Sequence, residues 1–300
     1  MRAFSTTDVL TQARPVLFDR EKSLETALAG LLARGHLLIE DLPGVGKTSF
    51  ALVLAKLLGL HFRRLQMTND LLPADVLGSM VFSSPQGVFE FRPGPVFTEV
   101  LLVDELNRAS PRTQSAFLEA MEERAVSVDG VTRSLPAVFF VLATQNPEDQ
   151  VGTSALPEGQ LDRFMMSLQL GFPSRDAEMR LLQEEDPREK ITALAPLANA
   201  QSLRQAQEEV AKVSLSPHLA HYVRELLEGA RRDGFLLSPR AGQHLARVAR
   251  AFAWMAERDR VLPEDVKRAA PAVWGHRTGL GARQGAEKVA EWLQRTPIPL

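Results

Sequence analysis

The chain has no cysteine, and that absence removes disulfides, thiolate metal sites and a cysteine nucleophile together. Its six histidines are scattered without metal-ligand spacing, so any metal is expected to arrive with a nucleotide. No apolar run approaches the roughly 18 residues that cross a bilayer, and the opening Met1-Arg2-Ala3-Phe4-Ser5-Thr6-Thr7-Asp8 lacks the continuous apolar stretch of a secretion signal. A cytoplasmic protein without membrane insertion is expected. Neither charge is in excess: 35 basic against 37 acidic residues and a pI near 6.3 give no global attraction to nucleic acid or anionic lipid, although a local basic patch stays open. Repeats and low-complexity segments are also missing. With 45% hydrophobic and 24% charged residues the composition is that of a globular protein, and 300 residues allow two domains.

Between His36 and Phe172 short apolar runs alternate with helical patterns, the signature of an α/β fold with a parallel sheet and crossover helices. The expected strands are 37–40, 62–67, 100–103, 139–143 and 166–170. Between Val76 and Phe97 the pattern breaks into Gly78, Pro85, Gly87 and Gly94 with Phe82, Phe89 and Phe91 between them, which reads as a hairpin. A second hairpin is expected over 125–135 with Asp129-Gly130 as its turn. Ten of the 16 residues from Arg175 to Lys190 are charged, as in an exposed helix and linker. From Gln201 onward apolar residues recur at helical spacing, as in Leu245, Val248, Ala249, Phe252 and Ala253, so a helical second domain follows.

Leu37-Leu38-Ile39 runs into Asp41-Leu42-Pro43-Gly44-Val45-Gly46-Lys47-Thr48 and then a helical stretch from Ser49, which supplies strand, glycine loop and helix in the order of a P-loop. Gly44 and Gly46 let backbone N–H groups turn toward a phosphate, Lys47 reaches the terminal phosphates of ATP, and Thr48 offers a hydroxyl to Mg2+. A lysine in the first helical turn opposes the helix dipole unless an anion sits there. The full pattern would place glycine where Asp41 stands. Val100-Leu101-Leu102-Val103-Asp104-Glu105 is an apolar strand ending in two acids, a Walker B pattern in which Asp104 serves the metal and Glu105 polarises water. The next apolar strand leads to Asn146, where an amide can orient that water or meet the γ-phosphate; a turn asparagine before Pro147 is the plain alternative.

These strings, with Arg64–Gly78, Asp104-Glu105-Leu106-Asn107-Arg108-Ala109, Gly94-Pro95-Val96-Phe97, Leu156–Phe164, Leu237-Ser238-Pro239-Arg240-Ala241 and Trp274-Gly275-His276-Arg277, resemble the MoxR family of AAA+ ATPases over nearly the whole chain. Asp41, Gly159 and Glu257 depart from the family pattern. The resemblance implies an AAA+ core of five parallel strands over 1–173, a linker helix over 174–200 and an all-α lid over 201–300. Within the core it implies a helix-2 insert near 78–97 and a hairpin before sensor 1 near 126–135, both beside a central pore. A nucleotide loop of Pro43, Gly44, Val45, Gly46, Lys47, Thr48 and Ser49 is implied, with Mg2+ at Thr48 and Asp104 largely through water. Asn146 takes the sensor 1 place, Arg163 that of an arginine finger reaching a neighbour's ATP, and Arg240 that of sensor 2; Arg108 and Arg112 are further interface candidates. An internal ion pair of Arg163 with Asp162 or Glu158 is the alternative. Ser238 and Pro239 read as N-cap and first residue of a helix, so Arg240 stands in an unfavourable first turn and calls for an anion nearby, either ATP or an acidic neighbour.

The expected function is a ring-forming, hexameric machine that hydrolyses ATP to remodel protein clients, with a von Willebrand factor A domain protein as a candidate partner. A nucleic-acid motor and a chelatase motor subunit are the alternatives of other classes. A small-molecule kinase would need neither lid nor intersubunit arginine.

Overall fold

The structure, a computed structural model, describes residues 4–84, 87–146, 156–183 and 187–298. Nine strands appear among the described residues: β1 (Leu37–Glu40), β2 (Phe62–Gln66), β3 (Gly78–Ser83), β4 (Val88–Pro93), β5 (Val100–Asp104), β6 (Ala125–Val128), β7 (Val131–Ser134), β8 (Phe140–Gln145) and β9 (Met166–Leu168). Five of them form one parallel sheet in the order β2-β5-β8-β1-β9. Except along the edge strand β2, both faces are buried, and side chains segregate by alternation. Leu37, Ile39, Val100, Leu102, Phe140 and Leu142 face the helices Glu21–Leu32 and Lys47–Leu57. Leu38, Leu101, Val103, Val141 and Ala143 face the helix Pro111–Glu123.

The five expected strands all form, that over 37–40 with the expected bounds and the other four with shifted ends. The run over 139–143 is displaced to Phe140–Gln145, because this central strand pairs on both sides and its register with β1 carries Thr144 opposite Ile39 and Gln145 opposite Glu40. Hydrophobicity ends at Ala143 while the ladder continues. Both expected hairpins form as separate antiparallel pairs, β3-β4 and β6-β7. In the second, Asp129 and Gly130 take φ of 50° and 75°, the left-handed pair that a two-residue turn requires. Arg133 of β7 stacks 4.0 Å over the ring of Phe91 in β4, which joins the hairpins.

Instead of one linker helix, the charged stretch forms two, Arg175–Gln183 and Pro187–Ala193. Glu184, Glu185 and Asp186 between them lie outside the described residues. Beyond them come the helices Ala200–Lys212, Pro217–Arg232, Pro239–Met255, Pro263–Trp274 and Ala282–Arg295. Ser216 and Ser238 cap two of these, each accepting the N–H three residues on ahead of a first-turn proline. Trp274, fully buried, donates its indole N–H to the Ala241 carbonyl and ties two lid helices together. No helix among the described residues is long and apolar enough to cross a membrane.

Candidate functional site

In a parallel sheet every strand points the same way, so the loops after β1, β5 and β8 meet at one rim. That rim carries the glycine loop, Asp104-Glu105 and Asn146. Gly44 and Gly46 take φ of 85° and 88°, and an added Cβ at either would meet no atom within 4 Å, so the loop faces open space. The helix Lys47–Leu57 begins directly behind it with Gly46 as N-cap and no side chain on its first N–H groups, an arrangement suited to an anion. Lys47 folds back onto the carbonyls of Asp41 (2.8 Å) and Leu42 (3.2 Å). Burial lowers its pKa, opposed by the charges of Asp41, Asp104 and Glu105. Thr48 and Ser49 are half-buried in the first helical turn, Pro43 is exposed and Val45 anchors the loop in the core.

Asp104 is buried and ion-paired with Arg64 at 2.6 Å. Glu105, at φ 55°, receives the Gln66 amide at 2.6 Å and the Arg108 guanidinium at 3.1 Å, while its own N–H donates to Thr144 Oγ1. Arg64 and Gln66 reach the acids because β2 lies beside β5 with Gln66 opposite Asp104. Sequence reasoning missed this pair, since only the strand register reveals it. Asn146 is half-buried at the end of β8; Pro147 lies outside the described residues.

Asp41, the departure from the pattern, has a clear structural use. Its buried carboxylate accepts the N–H groups of Leu170 and Gly171 just past β9, and Arg20, also buried, donates to the carbonyls of the same two residues. All four backbone groups of that dipeptide are held by one pair of opposite charges. The chain continues into Phe172 and Pro173, which with Val16, Phe18 and Leu181 line an apolar cavity of about 530 Å³ against Gly44 and Gly46. A mainly apolar recess therefore lies directly beside the glycine loop. Its lining was not legible as such, because it comes from segments before and after the sheet.

Arg163 and Arg240 are elsewhere. Since β9 runs parallel to β1 with Met166 opposite Leu37, Arg163 lies at the amino rim of the sheet, while the glycine loop follows its carboxyl rim. The four residues of β1 alone separate the rims by roughly 10 Å. Arg163 pairs with Glu122 at 3.2 Å and Arg240 with the same carboxylate at 2.9 Å. The anion that Arg240 calls for is, within this chain, Glu122. Asp162 is not the partner of Arg163: it binds Arg277 at 2.7 Å and Ser238 at 3.2 Å, and Glu158 makes no ion pair among the described residues. Burial alone would raise the Asp162 carboxyl, but Arg277 holds it below the usual carboxylate range. Arg277 and His276 also bond the Phe164 carbonyl, so the lid fixes the loop that presents Arg163. Arg108 stands at the carboxyl rim on Glu105, apart from that cluster.

A P-loop at the carboxyl rim of this five-stranded sheet, followed by a helical lid, defines an AAA+ ATPase. Residues 36–166 match the family "ATPase family associated with various cellular activities (AAA)" and residues 235–294 match "AAA lid domain". The chain is 43% identical to the uncharacterized protein YeaC of Bacillus subtilis, over 84% of this chain and 79% of that one. It is 34% identical to the chaperone MoxR1 of Mycobacterium tuberculosis, over 89% of this chain and 73% of that one. The crystal structure of a putative ATPase from Cytophaga hutchinsonii superimposes with a TM-score of 0.84 at 33% identity, covering 98% of this chain and 94% of the other. The chain belongs to the MoxR family of AAA+ ATPases.

Proposed function

We propose that the protein hydrolyses ATP at sites shared between neighbouring subunits of a ring and uses the cycle to remodel protein clients. The observation that carries this reading is the division of the charged groups between two rims. Lys47, Asp104 and Glu105 gather at one; Arg163 and Arg240 converge on Glu122 at the other. A subunit stacked head to tail on its neighbour brings the second set to the first, so both arginines act in trans, where ATP replaces Glu122 as their anion.

In this site the backbone of Gly44, Val45 and Gly46 cradles the phosphates and Lys47 leaves the Asp41 and Leu42 carbonyls to neutralise them. Thr48 and Asp104 would hold Mg2+, which when bound draws charge from the phosphate oxygens; the carboxylate and hydroxyl chemistry of the pair fits it. Glu105 accepts the proton of the attacking water, which Asn146 orients, and a guanidinium from the neighbour stabilises the transferred phosphoryl group, an effect worth about 10³–10⁵ in rate. The remodelling role is supported by the relative named as a chaperone and by the β3-β4 hairpin, whose Phe82 and Phe89 are exposed and packed edge to face on each other. A cytoplasmic hexamer with a von Willebrand factor A domain partner remains the expected setting.

Arg163→Ala and Lys47→Ala proteins, each inactive alone, should regain part of the phosphate release when mixed, because each supplies the half-site the other lacks. Subunit exchange without any recovered activity would place the arginine's action within one chain and overturn the shared site.

A further inference from the structure

A second charged region lies where the core meets the lid. Arg34 follows the helix Glu21–Leu32, Arg124 follows the helix Pro111–Glu123, and Arg247 and Arg250 come from the lid helix Pro239–Met255. Arg34, Arg247 and Arg250 line a cavity of about 540 Å³ with Gln207 and Lys212, and Arg124 backs it through Arg34. None of the four makes an ion pair among the described residues. Each uses a donor on a neutral acceptor instead: Arg124 on the Arg34 carbonyl, Arg247 on the Ala33 carbonyl, Arg250 on the Val213 carbonyl and Arg34 on the Gln207 amide. The nearest acid lining the cavity, Glu208, is paired with Arg204.

The simplest account of such arginines is that they cap the end of the helix Glu21–Leu32, and Arg247 and Arg124 do bind the carbonyls of Ala33 and Arg34 just past it. A helix C-terminus, however, offers about half a negative charge. Four guanidiniums exceed it several-fold, and they repel one another: burial first, then the charges of Arg34 and Arg247, lower the pKa of Arg124, and burial with Arg34 and Arg250 lowers that of Arg247. A guanidinium has five N–H donors in a planar fork, so the groups facing the cavity retain donors matched to tetrahedral oxyanions. A lone carboxylate would cancel one charge and fill little of the space. A compact ion of several charges suits both.

We propose that this cavity is a binding site for a small phosphate-type polyanion, held between Arg34 of the core and Arg247 and Arg250 of the lid. The site is independent of the glycine loop and does not rest on the ATPase reading. Because its two halves belong to the core and the lid, occupancy fixes their relative position. Arg240 and Arg247 lie seven residues apart on the same helix and share a face, so occupancy also sets the helix that carries Arg240.

The test uses the full chain saturated with ADP in the absence of magnesium, so that the glycine loop is filled, titrated with inorganic pyrophosphate by calorimetry and by thermal melting. Wild type should bind pyrophosphate at one salt-sensitive site and melt higher with it. Arg34→Gln should bind about tenfold more weakly, as expected for one lost charge-assisted contact, and Arg34→Lys should fall between. Without pyrophosphate, Arg34→Gln should melt no lower than wild type, since an exposed, repelled cation has been removed; a purely structural cap would melt lower. No saturable binding to wild type, undiminished binding to an Arg34→Gln/Arg250→Gln double variant, or loss of binding as ADP is raised would each overturn the site. So would a change in oligomer size in Arg34→Gln with no pyrophosphate binding to wild type, which would make the arginines a contact to a neighbouring chain.

Discussion

Replacing Asp41 by glycine restores the residue that the P-loop pattern itself prefers, and the structure expects it to do harm. The carboxylate accepts the N–H groups of Leu170 and Gly171, the latter at 3.2 Å, while Arg20 holds their carbonyls. Hydrogen bonds to a charged acceptor are worth about 1.5 kcal/mol or more each. Losing two, and leaving Arg20 buried without its counter-charge, should cost about 3 kcal/mol, with added backbone freedom at the new glycine making matters slightly worse. For a chain of this size that lowers the melting temperature by about 6–10 °C. The same change frees the segment leading to Phe172, so ADP should bind several-fold more weakly in calorimetry. Asp41→Asn, which keeps one acceptor, should lie between. An Asp41→Gly protein that melts at or above the wild type with unchanged ADP affinity would refute the brace and leave Asp41 a neutral substitution.

Other consequences are equally direct. Glu105→Gln should bind ATP yet release no phosphate, and a wild-type rate in the phosphate assay would remove Glu105 from catalysis. Gln66→Ala should raise basal turnover roughly fivefold, since about 1 kcal/mol of hydrogen bonding no longer holds the Glu105 carboxylate aside; a fall in rate with intact binding would contradict this. His36 and His244 are held to a pKa of about 3, chiefly by burial, against 6.5 when unfolded. Both stay neutral when folded, so the unfolded chain takes up more protons between pH 6.5 and 3 and stability must fall as pH drops through that window. At pH 5 each should have cost about 2 kcal/mol relative to pH 7. Urea denaturation followed by tryptophan fluorescence would show equal midpoints at the two pH values if this reasoning were wrong.

The strands and hairpins were legible because each is announced locally. Leu37-Leu38-Ile39 is an unbroken apolar run buried on both sides, and Asp129-Gly130 is a pair that tolerates positive φ. The glycine loop was legible for the same reason. What escaped notice depends on which distant elements become neighbours. Gln66 gains access to Glu105 from the pairing of β2 with β5, and Glu122 becomes the shared partner of Arg163 and Arg240 only when the lid docks. Local reading identified Arg240 as a cation in want of an anion, yet had no means to choose between a nucleotide and a side chain. Asp41 looked like a deviation from a motif, and the contacts that explain it lie 129 and 130 residues away.

The placement of Arg163 before a strand parallel to β1 also bears on how copies of the molecule can join. The two half-sites of the proposed ATP site lie on opposite rims and cannot meet across a two-fold axis; they would fit only donor to acceptor, with the same sense repeated at every joint. Such a contact closes into a ring if the turn between copies divides a full circle and the rise between them is zero. Otherwise it winds on as an open helix. Closure would then hang on the angle set at each joint by the lid anchors, Arg277 on Asp162 and His276 on the Phe164 carbonyl. A substitution that tilts this anchor by a few degrees need not weaken any joint to convert a closed ring into a lock-washer or a filament.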